Sequence, residues 1–257
     1  MSNYSYESES LMTTIKNNKN IAIILASILI AVFALVFLVP KIIAPNTSSV
    51  DASSYSQLIR DYDIVRGKKD SNITVVLFED PQCPGCQSLS KTKSAEFEKY
   101  YDKVRFVYKY VRAVSPHTFS KEAIGLIYAA ENISQKGYEL TEKIYKDTAN
   151  LTVLDRATVL KYAEEIGLNK DLIIAKSNES AIQSIVSQQQ KDFEFKFPVI
   201  EGFTDKETRI SGTPGGFIIK DSKLNRITSD RERSTLTDKT KDFTTSDFDT
   251  YLAELTK

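Results

Sequence analysis

ITVVLFEDPQCPGC, residues 73–86, holds the clearest strand signal in this chain and, at its end, the only two cysteines among 257 residues. Residues 73–78 form a short and nearly continuous apolar run, which is typical of a strand buried at the centre of a sheet. Four residues then lead into Cys83-Pro84-Gly85-Cys86. The fold and the chemistry of the chain are therefore both decided in this segment.

The spacing of the two cysteines favours redox chemistry over a structural crosslink. A disulfide across two intervening residues closes a very small loop, so it removes little entropy from the unfolded chain. A pair with this spacing is suited to cycling between dithiol and disulfide. Two alternatives stay open. One is chance, and the other is half of a zinc site, which would need a second subunit because the chain has two Cys and one His.

The residues after the motif predict a helix and then a second strand. Side chains at positions 86, 89, 93, 97 and 100 fall on one helical face, so we expect a helix of about four turns. Residues 104–111, VRFVYKYV, alternate and are rich in β-branched and aromatic side chains, which indicates a strand. Together they predict a right-handed βαβ unit with the cysteine pair at the start of its helix.

A position at a helix N-terminus assigns different roles to the two thiols. Unpaired N–H groups and the helix dipole stabilise a thiolate there, and the thiolate is the species that attacks disulfides. Cys83 is therefore the predicted nucleophile, with a pKa in the range of ~3.5–7.5. Pro84 fits the first helical turn, where a missing N–H costs nothing. Cys86, one turn further in, is expected to resolve the mixed disulfide by attacking Cys83.

A long helical region separates this unit from the later strands. Helical patterns begin near Phe119 and include a segment at residues 138–145. A further helix is predicted to be capped by Asp155 and to end at Gly167, and another to cover residues 171–191. These helices predict an inserted helical subdomain at about residues 115–195.

The strand pattern resumes after the helices. Residues 208–210 and 216–220 are predicted strands, and residues 224–228 are predicted to form a hairpin with the second of them. Residues 229–244 are polar and threonine-rich, which predicts a loop. An i, i+3, i+4, i+7 pattern over residues 248–255 predicts a terminal helix.

Residues 21–39, IAIILASILIAVFALVFLV, contain no charged side chain and are long enough to cross the hydrocarbon core of a bilayer as a helix. A cleaved secretory signal is the alternative. Signal peptides have shorter apolar runs that end in a small-residue cleavage site, whereas this run ends in Val39-Pro40. Lys16 and Lys19 precede the run and Lys41 follows it, so the positive-inside tendency keeps the N-terminus cytoplasmic and exports the rest.

Four regions follow from these patterns: a cytoplasmic tail at residues 1–20, a single transmembrane helix at residues 21–39, a polar linker at residues 40–60 and a folded domain at residues 61–257. An extracellular or periplasmic location suits a dithiol–disulfide protein, because those compartments are oxidising. With 41% hydrophobic residues and no formal net charge, the composition is ordinary for a globular protein, so nucleic acid is not an expected partner.

Residues 66–89, RGKKDSNITVVLFEDPQCPGCQSL, resemble the active-site segment of the membrane-tethered or secreted DsbA-like thiol–disulfide oxidoreductases of the thioredoxin superfamily. Ser211-Gly212-Thr213-Pro214 is similar to the cis-proline segment of that family, and Ser115-Pro116-His117-Thr118 matches the entry to its helical insertion. The likeness covers residues 62–255 and includes the order of elements. It implies an α/β thioredoxin fold with an inserted helical subdomain, here preceded by the N-terminal transmembrane helix.

The resemblance also implies a substrate site. Pro214 is expected to be cis and to face the cysteine pair, while the backbone of Thr213 holds a substrate as an extended strand. From the residues alone, an ordinary Pro-Gly turn is the alternative, because glycines surround Pro214.

One position departs from the family pattern. Many relatives carry a buried acid six residues before the first cysteine, and this chain has Leu77 there. In those relatives the acid assists proton transfer, and Leu77 leaves Cys86 without this candidate base. We do not transfer the role to Glu79, so resolution of the mixed disulfide is expected to be slower or assisted by water. His117, the only histidine, is expected to be a turn or cap residue rather than a pH-sensitive group.

The sequence thus predicts a membrane-anchored, exported thiol oxidase that introduces disulfide bonds into exported proteins with free cysteines. The redox-active disulfide joins Cys83 and Cys86 across Pro84 and Gly85, and neither a metal nor a dissociable cofactor is expected. A membrane quinone-linked thiol oxidase is the reoxidant that the resemblance implies. Two alternatives remain: a reductase of exported proteins with the same fold, and a redox-inactive membrane-tethered module that binds peptides.

Overall fold

The computed structural model describes residues 57–195, 210, 212–220, 223–228, 242–244 and 248–257. Every described residue lies in the unit that spans residues 49–257. The predicted cytoplasmic tail and transmembrane helix therefore lie outside the described residues. Within the described ranges, every helix is too short or too polar to cross a bilayer.

One mixed β-sheet organises the described part of this unit. Its strands are β1 (Ile64–Gly67), β2 (Ile73–Glu79), β3 (Arg105–Tyr110), β4 (Gly215–Lys220), β5 (Lys223–Thr228) and β6 (Asp242–Thr244), in the spatial order β1-β3-β2-β4-β5-β6. Strands β2 and β3 are parallel, as are β5 and β6, and the other neighbours are antiparallel. The predicted central strand, β2, lies between β3 and β4 with all of its residues buried.

Strands β2 and β4 approach so closely that one position of β4 requires glycine. Leu77 of β2 faces Gly216 of β4 in the antiparallel register. A Cβ atom at position 216 would lie 1.9 Å from the carbonyl oxygen of Val76, a distance that no side chain tolerates. Because this pairing is antiparallel, the loop that precedes β4 reaches the carboxyl end of β2, where the cysteine motif begins.

The helices are α1 (Pro84–Glu98), α2 (Ser120–Ser134), α3 (Gly137–Asp147), α4 (Arg156–Glu165), α5 (Lys170–Ser177), α6 (Ser180–Glu194) and α7 (Phe248–Leu255), and a 3₁₀ turn covers Leu151–Val153. Helix α1 connects the parallel strands β2 and β3, as the sequence predicts. Helices α2 to α6 fill the connection from β3 to β4. Asp155 caps α4, where its side chain accepts the N–H of Thr158.

Two apolar cores lie on the two faces of the sheet. The larger joins both cysteines and helices α1 to α6 to one face of β2 and β3, which includes Leu77 and Tyr110. The smaller packs Phe193 of α6 and Phe217 of β4 against Phe78. Since alternate residues of a strand point to opposite faces, β2 supplies side chains to both cores.

Four elements differ from the sequence prediction. Strand β1 is not predicted, because a four-residue edge strand that is mostly half-buried is too short to show alternation. Strand β6 lies inside the predicted loop at residues 229–244. The predicted helix over residues 171–191 is two helices, because Glu179 adopts an extended backbone between α5 and α6. Of the predicted strand at residues 208–210, only Ile210 is described, and it lies outside the strands.

Candidate active site

The two cysteines lie where β2 ends and α1 begins. Cys83 is the N-cap residue of α1, with an extended backbone, and Pro84 is the first helical residue. The N–H of Cys83 donates to the carbonyl oxygen of Asp80 over 2.8 Å, which fixes the loop between strand and helix. Cys83 is 8% exposed, beside the exposed Pro84 and Gly85, whereas Cys86 is fully buried. Cys83 is therefore the sulfur that another protein can reach.

Hydrogen bonding and burial divide the acidity between the two thiols. The hydrogen bond with Cys86 lowers the pKa of Cys83 to about 6; burial opposes this shift, and hydrogen bonding with Thr213 and with the backbone N–H groups of Gly85 and Cys86 assists it. Burial raises the pKa of Cys86 well above its usual value, and the hydrogen bond and charge of Cys83 add to that shift. The pKa of Cys83 lies within the range that a position at a helix N-terminus predicts. At neutral pH the thiolate therefore resides on Cys83.

The loop before β4 packs against the cysteine motif. The Thr213–Pro214 peptide bond is cis, as the resemblance implies. The carbonyl oxygen of Thr213 lies 3.2 Å from Sγ of Cys83. A Cβ atom at Gly85 would lie 3.1 Å from Cδ of Pro214, so glycine allows this close approach. The fold thus brings the predicted site residues together, while their roles in exchange and substrate binding stay predictions.

A buried acid also lies beside the thiols. Glu79 is the last residue of β2 and is 4% exposed. Burial raises the pKa of Glu79 well above its usual value; the charges of Glu142 and Cys83 add to this shift, and a hydrogen bond with Tyr145 opposes it. The charge of Glu79 in turn contributes to the raised pKa of Cys86. The surroundings therefore favour the neutral form of Glu79, and its charge is coupled to that of Cys83 and to the ionisation of Cys86.

Tyrosines form the surroundings of Glu79. Burial raises the pKa values of Tyr108, Tyr110 and Tyr145 well above the usual value, and the charge of Glu79 is among the further causes for each. Within the described part of the chain, no cation contributes to the ionisation of Glu79. The ionised form of Glu79 is therefore disfavoured by burial and is not offset by a described cation.

The role of the family's buried acid was not assigned to Glu79 from the sequence, because an acid outside the position six residues before the first cysteine need not point at the thiols. Strand alternation places residues two apart on the same face of a sheet. Glu79 therefore shares the face of Leu77 and lies nearer to the carboxyl end of β2. An acidic residue on the same strand face as Leu77, at the end of an apolar strand, is a signal that was present in the sequence.

The polar residues between β2 and Cys83 connect the motif to the helical region. The side-chain amide of Gln82 donates to the carbonyl oxygen of Leu151 over 3.2 Å, and its oxygen accepts the N–H of Phe119 over 2.8 Å. Nδ1 of His117 lies 2.7 Å from Oδ2 of Asp80. His117, expected to be an ordinary turn or cap residue, therefore has a buried partner three residues before the nucleophile.

A zinc ion would need more ligands than this site offers. The thiols of Cys83 and Cys86 hydrogen-bond to each other, and the histidine bonds to Asp80. Among the described residues, no group of three or more His, Cys, Asp or Glu side chains is arranged to hold a metal ion.

Comparison with known proteins gives one family match and several structural ones. The sequence matches the family model described as Thioredoxin over residues 60–238, more than half of the chain. No curated protein matches the sequence. The structure of BcfH from Salmonella enterica Typhimurium is similar, with a TM-score of 0.53 and 18% identity, over 89% of this chain and 91% of that chain.

Two further solved structures are similar to this chain. Oxidised BdbD from Bacillus subtilis has a TM-score of 0.52 and 13% identity, over 75% of this chain and 92% of that chain. The thiol-disulfide exchange protein alpha-DsbA2 from Wolbachia pipientis has a TM-score of 0.49 and 15% identity, over 67% of this chain and 84% of that chain. The matches to BcfH and BdbD show a shared fold.

Proposed function

The chain belongs to the thioredoxin family, and we propose that it is an exported, membrane-tethered thiol–disulfide oxidoreductase that donates disulfide bonds to other proteins. Family membership and the shared fold confirm the predicted relationship and the thioredoxin-like α/β fold. The predicted enzyme class, a thiol–disulfide oxidoreductase, is confirmed with the family. The direction of exchange, the substrates and the membrane tether belong to the proposal.

The observation that carries the proposal is the hydrogen-bonded thiol pair at the N-terminus of α1. It stabilises the reduced form of the motif, because the pKa of Cys83 falls from 9 to about 6. A couple whose reduced form is stabilised is a better oxidant. At pH 7 the shift stabilises the reduced form by about 1.4 kcal/mol, which corresponds to about 30 mV in a two-electron couple. Thiolate stabilisation therefore favours the oxidase direction.

In the first step, a substrate thiolate attacks Sγ of Cys83 in the Cys83–Cys86 disulfide. A bond forms between the substrate sulfur and Cys83, and the disulfide bond breaks with its electron pair on Cys86. Burial disfavours a thiolate at Cys86, so this leaving group requires a proton. Glu79, whose raised pKa favours the protonated form, supplies that proton as the general acid of this step and takes it back when Cys86 is deprotonated to re-form the disulfide.

In the second step, another substrate thiolate attacks the substrate sulfur of the mixed disulfide. Cys83 leaves as a thiolate, which its lowered pKa makes a good leaving group. The substrate gains a disulfide bond and the enzyme gains two electrons and becomes the dithiol. A membrane quinone-linked thiol oxidase is the class of partner that would return Cys83 and Cys86 to the disulfide.

The membrane tether rests on residues 21–39, whose length and lack of charge suit a transmembrane helix. Lys16 and Lys19 on the N-terminal side favour export of the catalytic domain. An oxidising compartment is the one in which a disulfide donor meets proteins with free cysteines. Exported proteins with unpaired cysteines are therefore the proposed substrates.

The reduction potential of the full chain in detergent, measured by equilibration against glutathione buffers, tests the direction of exchange. A value above about −150 mV supports the disulfide donor. A value near about −270 mV contradicts it and favours the reductase, which is the second candidate function.

The third possibility, a redox-inactive peptide-binding module, has a separate test. The double variant Cys83→Ser, Cys86→Ser is compared with the wild type for oxidation of a reduced, unfolded model protein. We expect complete loss of oxidation, since no sulfur remains to exchange. Retained function in cells that carry the double variant would favour the binding module.

A further inference from the structure

The carboxylate of Asp80 is fully buried and accepts hydrogen bonds at both oxygens. Oδ1 accepts the N–H of Gln82 over 2.9 Å and the hydroxyl of Ser120. Oδ2 accepts the N–H of Ala113 over 2.8 Å and Nδ1–H of His117 over 2.7 Å. A buried carboxylate needs such donors, because an ionised group without partners is costly to bury. The side chain of Asp80 is thereby held in one orientation.

The main chain of the same residue contacts both cysteines. The carbonyl oxygen of Asp80 accepts the N–H of Cys83 over 2.8 Å and the hydroxyl of Tyr145 over 3.2 Å. The N–H of Asp80 points at Sγ of Cys86 over 3.5 Å. A rotation of the Asp80 peptide groups would therefore change the position of the nucleophile and the polar contact of the buried sulfur together.

Three of these donors come from the start of the helical insertion. Ala113 and His117 lie in the segment between β3 and α2, and Ser120 is the first residue of α2. The His117 side chain is 14% exposed, and its bond to the carboxylate crosses from this segment to the loop before α1. Removing that one donor loosens Asp80 without deleting the carboxylate.

We infer that Asp80 is a positioning residue for the Cys83–Cys86 pair and that His117 holds it in place, so that the helical insertion sets the reactivity of the thiols. The inference rests on the proposed function for its meaning, since it concerns the same reaction. The acidity of Cys83 is measurable without a substrate, however, so the inference has its own readout. Neither Asp80 nor His117 touches the reacting sulfur of Cys83 in this role.

The test uses His117→Phe, which keeps an aromatic ring and removes the donor to Asp80. Once Asp80 loosens, fewer N–H groups face the sulfur of Cys83, so we expect its pKa to rise by roughly half a unit. The equilibrium constant for oxidation of glutathione at pH 7 falls about 2.5-fold as a result. The pKa is read from the pH dependence of the ultraviolet absorbance of the thiolate in the full chain. His117→Gln, whose amide can donate to the same oxygen, restores both quantities.

The matched control is Ile173→Val, a core truncation in α5, a helix that contains none of these four donors to Asp80. Thermal stability, the Cys83 pKa and the glutathione equilibrium are measured for both variants. A control that loses stability but keeps the wild-type Cys83 pKa separates positioning from general weakening of the fold. Wild-type values of the Cys83 pKa and the glutathione equilibrium in His117→Phe would make His117 a purely structural residue and overturn the inference. A wild-type chain that fails to exchange with glutathione at all would instead contradict the proposed function.

Discussion

Lys109 and Glu79 belong to adjacent residue pairs of strands β2 and β3, but their side chains point to opposite faces of the sheet. In the parallel register of β2 and β3, Lys109 pairs with Phe78, and Glu79 pairs with Tyr110. Lys109 is fully buried and forms ion pairs with two aspartates, whereas Glu79 is buried among tyrosines and beside the thiols without a cation in the described part of the chain. Two buried ionisable groups in one sheet thus have opposite surroundings.

The surroundings of Lys109 neutralise its charge and join three parts of the fold. Nζ lies 2.9 Å from Oδ2 of Asp63, before β1, and 3.1 Å from Oδ2 of Asp192 in α6. It also donates to the carbonyl oxygen of Leu58 over 2.8 Å, and Arg60 pairs with Asp192. A buried cation with such partners holds together the elements that supply them. A buried acid without such partners has a raised pKa, which favours the neutral form of Glu79 and suits it to proton transfer.

The largest expected effect follows from Lys109→Met, which keeps a long side chain and removes the charge. Asp63 and Asp192 would then lose their buried cation, with Arg60 left beside Asp192, and we expect a loss of about 3–5 kcal/mol in the free energy of unfolding. Urea denaturation of the oxidised protein measures it. The reduction potential should stay at the wild-type value, because Lys109 lies on the face away from the thiols.

Lys170→Met is the control for that experiment, since Lys170 pairs with Glu164 on the exposed surface. We expect this substitution to lower the free energy of unfolding by less than about 1 kcal/mol. If Lys109→Met changed the reduction potential and left the stability intact, the contrast between the two faces would be wrong.

The second expected effect is a pH dependence of the stability of the reduced protein, which arises from Cys83 on the thiol face of the sheet. The pKa of Cys83 is about 6 in the folded protein and 9 ordinarily, so between these values the folded state has lost a proton that the unfolded state retains. The stability of the reduced protein, relative to that of the disulfide form, should therefore rise with pH from about 6 to about 9 by up to about 4 kcal/mol in total, since Glu79 titrates in both forms. Urea unfolding with and without reductant measures it, because the disulfide form has no thiol to titrate. An equal rise in both forms would contradict the assignment.

The smallest expected effect comes from Glu79→Gln, a neutral isostere. We expect the release of Cys86 during exchange to slow about tenfold, which is below the usual contribution of a general acid because water can replace it in part. Stopped-flow measurement of the reaction between the oxidised enzyme and a small thiol reports this rate. Glu164→Gln, at an exposed acid, should leave the rate unchanged.

Glu79 also affects how the stability of the protein depends on pH. Its folded pKa is raised, so stability is lost as the pH rises from the usual carboxyl value through the folded pKa. Glu79→Gln should remove that loss. An unchanged exchange rate together with the expected change in stability would leave Glu79 as a buried acid without a catalytic role.

Local patterns were sufficient to predict the parts of the fold that depend on neighbouring residues. The apolar run of β2, the helix that follows Cys83 and the cap at Asp155 all appear where propensity and capping place them. The resemblance was needed for the Thr213–Pro214 segment, because a turn rich in glycine does not indicate which isomer the peptide bond adopts.

The two buried ionisable groups were not predicted because their surroundings come from distant parts of the chain. Lys109 occupies an alternating strand and, by sequence, is an ordinary exposed position; Asp63, the partner that buries it, lies 46 residues earlier. The sequence shows that Glu79 shares a strand face with Leu77, but which face of β2 meets the thiols depends on how α1 folds back on the sheet. Long-range pairing of this kind leaves no local periodicity.

Helix α1 has proline at its first position but none of the oxygen groups that usually complete a helix start. Its N-cap residue, Cys83, carries sulfur in place of a side-chain oxygen, and its first turn contains no acidic residue. Ser, Thr, Asp or Asn commonly fill this position with an oxygen acceptor. In the dithiol form the sulfur of Cys83 supplies the missing negative charge, and in the disulfide form it does not. Part of the free energy that drives oxidation of a substrate is therefore the free energy of capping a helix.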